Sequence, residues 1–262
     1  MGSALTFLKY AFRRKKSPAD YLRFQQCQGQ LIIEALERHR DLRKKLRVLD
    51  VGSGVGGYVY EMARTRNVEI VSLDKNPLPP AIERYREVSK SGKGFSLKYK
   101  KKAKVVYTSN KIVVVEGDIT DAPFSDKSFD IIIASGVIEH VPDQDKMISE
   151  CYRLLKDDGL FYLSFPPYYS PVGGHSISPL HYIPGKFPLW LYKRQNIGND
   201  PAFRKYYGLV VTTLGSVERM IKGKFVVVQR RARVFDFLTP FLKVPLLREF
   251  ISHHVEFFLV KQ

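Results

Sequence analysis

An α/β fold built on a mostly parallel sheet is predicted by three observations. Short apolar runs alternate with helical segments from residue 46 onward. The runs are continuously apolar rather than alternating with polar residues. A glycine-rich turn separates the first run from the helix after it. Strands buried on both faces read in this way, and parallel neighbours need crossover connections between them.

Residues 18–45 read as a helix rich in Leu, Ile, Arg and Gln, opened by Ser17-Pro18 in an N-cap/N1 arrangement. Arg47–Val51 is the first strand, Gly52–Gly57 the glycine turn and Tyr58–Thr65 a helix. Val68–Leu73 is a second strand closed by Asp74, and Pro79–Val88 is helical. Ile112–Glu116 and Phe129–Ala134 are the third and fourth strands. Gln144–Leu155 is a helix ended by Asp157-Asp158-Gly159, and Leu160–Phe165 is the fifth strand. Leu209–Ile221 is expected as helix, Lys224–Gln229 as strand, Phe235–Ile251 as an apolar-basic helix broken by prolines, and Val255–Val260 as the last strand. Two stretches interrupt the series. Residues 90–111 carry eight lysines and no acid, which suits an exposed loop or hairpin. Residues 166–208 are rich in Pro, Gly, Tyr, Phe and His, as expected of a substrate lid. Residues 1–45 are thus a basic arm and helix, and 46–262 the main domain.

The charge is uneven. Lys and Arg outnumber Asp and Glu by 43 to 26; the balance is +8 over residues 1–47, +8 over 90–111 and +9 over 171–262, against −7 over 112–170. A basic periphery around an acidic middle suggests an anionic partner: lipid, nucleic acid or a phosphorylated substrate. The two cysteines, Cys27 and Cys151, form no CxxC or Cys/His cluster, so neither a disulfide scaffold nor a metal is expected, and a reducing compartment fits. No apolar run approaches the roughly 18 residues of a membrane span. A secretory signal is also absent from the pattern, so a cytoplasmic location is expected.

Val48-Leu49-Asp50-Val51-Gly52-Ser53-Gly54-Val55-Gly56-Gly57 places glycines where backbone must approach a ligand and helix N–H groups point at it. Gly52, Gly54 and Gly57 also satisfy G-x-G-x-x-G, a weak signal that alone fits a dinucleotide site. The remaining motifs are Asp74 after the second strand, Glu116-Gly117-Asp118-Ile119 after the third, and Ser135-Gly136-Val137-Ile138-Glu139-His140-Val141 after the fourth. Leu154-Leu155-Lys156-Asp157-Asp158-Gly159-Leu160 leads into the fifth.

This ordered set over residues 46–166 closely resembles the class I S-adenosylmethionine-dependent methyltransferases, in particular the small-molecule branch that includes quinone and sugar methyltransferases. One departure is the separation of 44 residues between Asp74 and Asp118, long for the family, much of which the lysine-rich insertion supplies. The resemblance implies a Rossmann-like sheet of seven strands with the last antiparallel. It also implies S-adenosylmethionine as cofactor, S-adenosylhomocysteine as product, and no metal. Gly52, Ser53, Gly54 and Gly56 would line the methionine and ribose portions, with Asp50 steadying the loop or the amino group. Asp74, with Lys75 beside it, would bind the ribose diol; Asp118 would bind the adenine amino group and Ile119 pack on the ring. Ser135 and Gly136 would border the sulfonium.

An activated methyl needs mainly alignment and exclusion of water, and a base only where the acceptor must lose a proton. His140 and His175 are the catalytic candidates, with Glu139 and His181 as further bases and a reaction without a dedicated base as the alternative. Amino-directed nucleic-acid enzymes carry Asp/Asn-Pro-Pro-aromatic after the fourth strand; here that position reads Ala-Ser-Gly-Val. Cys151 falls within a helix and reads as core rather than as the nucleophile of cytosine C5 chemistry. The expected acceptor is therefore a small lipid-linked, isoprenoid or sugar-containing molecule, with O-methylation favoured. RNA, contacted by the 90–111 lysines with Tyr99 and Tyr107, is the runner-up, and a cofactor-binding protein without turnover is the third reading. Arg13–Lys16 and Phe235–Phe250, which carries Lys243 and Arg248, suggest peripheral contact with an anionic membrane.

Overall fold

The computed structural model describes residues 9–10, 18–90, 92–196, 208–233 and 235–262. The expected basic cluster Arg13–Lys16 and residues 197–207 of the expected lid lie outside them. The chain forms two compact units, residues 1–132 and 133–262.

The first unit holds α1 (Pro18–Glu37), β1 (Leu46–Val51), α2 (Gly57–Thr65), β2 (Val68–Asp74), α3 (Pro79–Val88), β3 (Lys104–Thr108) and β4 (Ile112–Glu116). β5 (Phe129–Ser135) begins in this unit and ends in the second. β1 pairs in parallel with β2, and β2 with β4, in a register that places Asp50 beside Ser72 and Asp74 beside Glu116. Val48, Leu49, Ile70, Val71, Ile112 and Val114 are all buried, as their unbroken apolar runs require. The helix expected to reach residue 45 stops at Glu37. Beyond it, the Asp41 carboxylate accepts the Arg43 N–H at 3.1 Å, a local turn bond that competes with continued helix.

The described strands number eight rather than the seven expected, because the lysine-rich insertion contributes β3, antiparallel to β4 with a register shift between Val105 and Tyr107. The insertion's charges are partly committed to the fold. Lys104 pairs with Glu116 at 2.7 Å, Lys101 pairs with Asp121, and the Lys111 ammonium donates to the Ala63 carbonyl at 2.9 Å. Tyr107 is buried, with its ring 6.4 Å from that of Tyr85, so it is not an exposed stacking platform for RNA. Tyr99 packs on Phe124 at 5.7 Å.

The second unit holds the end of β5, α4 (Gln144–Leu154), β6 (Leu155–Phe165), α5 (Phe187–Asn196), α6 (Leu214–Ile221), β7 (Phe225–Ala232), α7 (Leu247–Ile251) and β8 (Val255–Lys261). β8 is antiparallel to both β6 and β7, which agrees with the expected direction of the last strand. Thr213 caps α6 through a reciprocal bond with Ser216, so the helix starts there rather than at residue 209. The Glu249 carboxylate adds bonds from the Leu214 and Gly215 N–H groups. Phe235–Ile251 is not one helix: a 3-10 segment at Asp236–Lys243 contains Pro240, and α7 follows Pro245. Leu246 between them has φ 65 and ψ −57, and the Leu247 N–H donates to the Pro245 carbonyl at 2.8 Å, the geometry of a strained γ-turn.

Candidate functional site

In the first unit the turn between β1 and α2 bends through left-handed backbone at Gly52 (φ 70), Gly54 (φ 51) and Gly56 (φ 79). The three glycines do different work. The Gly52 N–H donates to the Leu73 carbonyl at 2.8 Å and ties the turn to β2. A Cβ on Gly56 would lie 2.6 Å from the Tyr85 hydroxyl, so this glycine admits the α3 side chain. A Cβ on Gly54 would meet nothing within 4 Å, which leaves open space against that backbone. Gln25 of α1 accepts the Gly57 N–H at 3.2 Å, Tyr58 donates to Gln28 at 2.9 Å, and Arg84 of α3 donates to the Val55 carbonyl. These supports come from side chains distant in sequence, and no spacing rule marks them.

Two of the predicted aspartates, Asp50 just before it and Asp74 bonded to it, stand at this turn. Asp74 accepts from Gly54 N–H at 3.0 Å and from Asn76 N–H at 2.8 Å. Ser53 and Ser72 share a hydroxyl hydrogen bond of 2.6 Å. Asp50 is buried with Oδ2 unpartnered; burial first, and the Asp74 charge second, push its carboxyl well above the ordinary range. The Tyr85 hydroxyl is likewise buried without a partner, and burial with the nearby Asp50 raises it. Buried polar atoms without partners are uncommon and call for a ligand or water. A donor whose amino and hydroxyl groups bond carboxylates therefore fits this cradle. Asp118 caps a short 3-10 turn through the Thr120 N–H at 2.9 Å, and Lys75 pairs with it at 2.8 Å. Burial works to raise the Asp118 carboxyl, but Lys75 and Thr120 outweigh it and hold it low. Ile119 beside it is buried.

In the second unit, Ser135 ends β5 and Gly136 follows at φ 70, its N–H donating to the Ser164 carbonyl at 2.8 Å. The Ser135 hydroxyl accepts from Arg233 at 2.8 Å and from Ser164 at 3.2 Å. Arg233 also donates to Tyr162 at 2.9 Å and, at 3.0 Å, to Glu256, which Arg231 bonds at 2.5 Å. The register that sets Glu256 opposite both Ser164 and Arg231 builds this buried network. It was not foreseen, since β7 and β8 read only as generic strands.

Glu139, His140 and His175 come together in the same unit, each offering a ligand atom within 4.8 Å of the others. Glu139 is buried; loss of hydration pushes its carboxyl up to about 8, although its own backbone N–H and Arg233 pull it down. His140 is pulled down to about 4 by burial and then by His175, against the Gly208 hydrogen bond. The two histidine rings stand edge to face, 5.0 Å apart. His181 is not one of the three: its ring is buried against Gly174, with Nε2 bonded to the Ser170 carbonyl at 3.1 Å and Nδ1 to the Ser178 hydroxyl at 3.3 Å, a packing role. Tyr168 and Ile177 of the expected lid form a small core with Leu209 just beyond it, whereas Phe187 and Trp190 stack on each other and stay exposed.

Comparison with known proteins agrees with this geometry. Residues 49–163 match the family model described as a methyltransferase domain. The chain is 30% identical over 143 residues to a sterol 24-C-methyltransferase of Aspergillus fumigatus, covering 52% of this chain and 33% of that protein. It is 31% identical over 159 residues to an uncharacterized methyltransferase of Mycobacterium sp. (strain JLS), covering 59% of this chain and 52% of the other. The chain thus spans a third to about half of these relatives. The structure of geranyl diphosphate C-methyltransferase from Streptomyces coelicolor A3(2) superposes with a TM-score of 0.59 at 14% identity, over 92% of this chain and 77% of that one. Likeness at that identity concerns the fold alone, an α/β Rossmann-like arrangement with a mostly parallel central sheet flanked by helices. With the glycine turn, its aspartates and the match in one stretch, residues 49–163 form a methyltransferase domain, of the kind found in the class I S-adenosylmethionine-dependent enzymes.

Proposed function

We propose that the protein transfers a methyl group from S-adenosylmethionine to a small lipid-like or isoprenoid acceptor, with oxygen as the favoured acceptor atom. The observation that carries the reading is the open space against Gly54, whose N–H donates to Asp74, together with the unpartnered Oδ2 of the buried Asp50 at the end of β1. When bound, S-adenosylmethionine supplies a methyl already activated on a sulfonium. Asp74 and the glycine turn hold the ribose and methionine portions, Asp50 takes the amino group, and Asp118 with Ile119 receives the adenine. Lys75 keeps Asp118 ionised. Ser135 and Gly136 border the reacting end, and Arg233 fixes the Ser135 hydroxyl. His140 or His175 receives the proton of an acceptor hydroxyl, and an acceptor with no proton to lose needs neither.

One relative, by name a sterol 24-C-methyltransferase, favours an isoprenoid-type acceptor. The aromatic residues Tyr182, Phe187 and Trp190, all exposed in the expected lid, suit an apolar chain. No described helix is long and apolar enough to cross a membrane. Contact with an anionic bilayer surface instead uses Phe237, Phe241, Leu246 and Phe250, which are exposed beside Lys243. Arg248 takes little part, because it is bonded to Glu218 at 2.8 and 3.0 Å.

The test is incubation with methyl-labelled donor and separate lipid, metabolite and RNA fractions, followed by mass identification of the labelled product. Label in an isoprenoid or other lipid supports the proposal. Label in RNA reverses the choice of acceptor. Tight donor binding without label in any fraction leaves a cofactor-binding protein without turnover.

A further inference from the structure

We propose that the lysine-rich insertion is a strap that positions the turn carrying Asp118 and Ile119, and so sets the preference for the adenine of the methyl donor. The inference rests on the adenine contacts proposed above for those two residues. The bonds within the turn itself are short-range. Beyond β4 the chain passes Gly117 into a 3-10 turn, where the Asp118 carboxylate accepts the Thr120 N–H at 2.9 Å and its carbonyl accepts the Asp121 N–H at 3.1 Å. Glu116, Asp118 and Asp121 also set three carboxylates within six residues, and like charges so close repel unless each is paired.

The insertion supplies the long-range restraint. After the turn, residues 98–100 lie antiparallel to 123–125: the Lys100 N–H donates to the Pro123 carbonyl at 2.8 Å and the Ser125 N–H donates to the Lys98 carbonyl at 3.0 Å. The Tyr99 ring rests 5.7 Å from that of Phe124, which is buried edge-on to Phe129 of β5 at 5.3 Å. Before the turn, Lys104 opens β3 directly opposite Glu116 and pairs with it at 2.7 Å. Lys101 pairs with Asp121. The insertion thus grips the chain at 116, 121 and 123–125, on both sides of Asp118 and Ile119. Lys75, just after β2, pairs with Asp118 at 2.8 Å, so each of the three carboxylates has its own lysine. A lysine run that served only to attract a polyanion would leave its ammonium groups to solvent and its main chain unattached.

The consequence is selectivity for the base. The adenine amino group donates to a carboxylate, whereas hypoxanthine presents a carbonyl oxygen at the same position, an acceptor facing an acceptor. A strap that fixes Asp118 therefore acts on adenine and not on the ribose or methionine portions. Lys101 and Asp121 are 41% and 63% exposed, and exposed pairs contribute little singly, so the two pairs together should amount to roughly fivefold in affinity.

The experiment measures S-adenosylhomocysteine and S-inosylhomocysteine binding to the full chain by calorimetry. The parent should prefer the adenosyl compound at least about tenfold. Lys101→Ala/Lys104→Ala should bind the adenosyl compound roughly fivefold more weakly and the inosyl compound as the parent does, which narrows the preference. Lys101→Arg/Lys104→Arg keeps both pairs and should match the parent. Lys93→Ala/Lys102→Ala removes the same charge from the insertion at lysines outside these pairs and should match it too. Unchanged affinities in the folded Lys101→Ala/Lys104→Ala variant overturn the strap. So does an equal loss for both compounds, or a loss shared by the arginine variant or by Lys93→Ala/Lys102→Ala. A parent that binds the two compounds equally would instead overturn the adenine contact of Asp118 on which the strap rests.

Discussion

The Gly54 N–H donates to Asp74 Oδ2 at 3.0 Å, so the carboxylate that ends β2 holds the glycine turn that follows β1. Asp74→Ala removes this support together with the ribose contact proposed for the same carboxylate. Affinity for S-adenosylhomocysteine should fall by about 1–3 kcal/mol per lost charged hydrogen bond, a tenfold loss or more by calorimetry. An unchanged affinity would place the ribose elsewhere.

Alanine at two glycines of that turn should separate binding from folding. Gly54→Ala adds a methyl where nothing lies within 4 Å, at a left-handed residue. The fold should lose only ~1–2 kcal/mol, while S-adenosylhomocysteine binding falls sharply because the methyl enters the ligand's space. Gly56→Ala drives its methyl to 2.6 Å from the Tyr85 hydroxyl and should lower the melting temperature further than Gly54→Ala does. The reverse order of melting temperatures would refute this account of the turn.

Asp50→Asn should stabilise the ligand-free protein, increasingly as pH rises. Its folded-state carboxyl is raised by burial and by Asp74, so the native state favours the protonated form. Stability is lost as pH climbs from the ordinary carboxylate value, about 3.9, toward the raised one. Asparagine stays neutral and escapes that loss. Urea unfolding at pH 5 and pH 8 should show a larger advantage for the variant at pH 8. An equal or smaller advantage there would mean that Asp50 ionises without penalty.

Glu256→Gln should destabilise the second unit strongly. Glu256 is fully buried and takes bonds from Arg231, Arg233 and Tyr162. Breaking a buried pair on one side costs about 3–5 kcal/mol because the remaining charges stay buried. A denaturant midpoint within error of the parent would show that the arginines find other partners.

The exposed apolar residues of the 3-10 segment and of the turn before α7 predict reversible binding to vesicles of phosphatidylserine in phosphatidylcholine. A Phe237→Ser/Leu246→Ser variant should sediment with them about tenfold less, given ~1 kcal/mol or more for each large apolar side chain inserted. Retention by uncharged vesicles alone, or equal sedimentation of parent and variant, would refute anionic-surface docking.

What the sequence by itself determined is local and periodic. The continuous apolar runs of β1, β2 and β4 imply strands buried on both faces, and the glycines between Asp50 and Tyr58 imply left-handed backbone against a ligand. Asp74 and Asp118 were legible because a strand end and the turn after it fix where such a side chain lies. β3 was legible only as one arm of a loop or hairpin, since Lys104-Val105-Val106-Tyr107-Thr108 does not alternate and one register shift breaks the period. Only the tertiary structure decided the rest. Gly54 and Gly56 look alike in sequence, yet one faces open space and the other receives Tyr85. The pairing of β6, β7 and β8 brings Arg231, Arg233 and Glu256 to one buried point around Ser135 and Ser164. His175 reaches Glu139 and His140 through a loop whose path no period encodes. The physical reason is range: turn chemistry and periodicity act over a few residues, whereas charge networks and ligand clusters depend on register and on the packing of segments far apart in the chain.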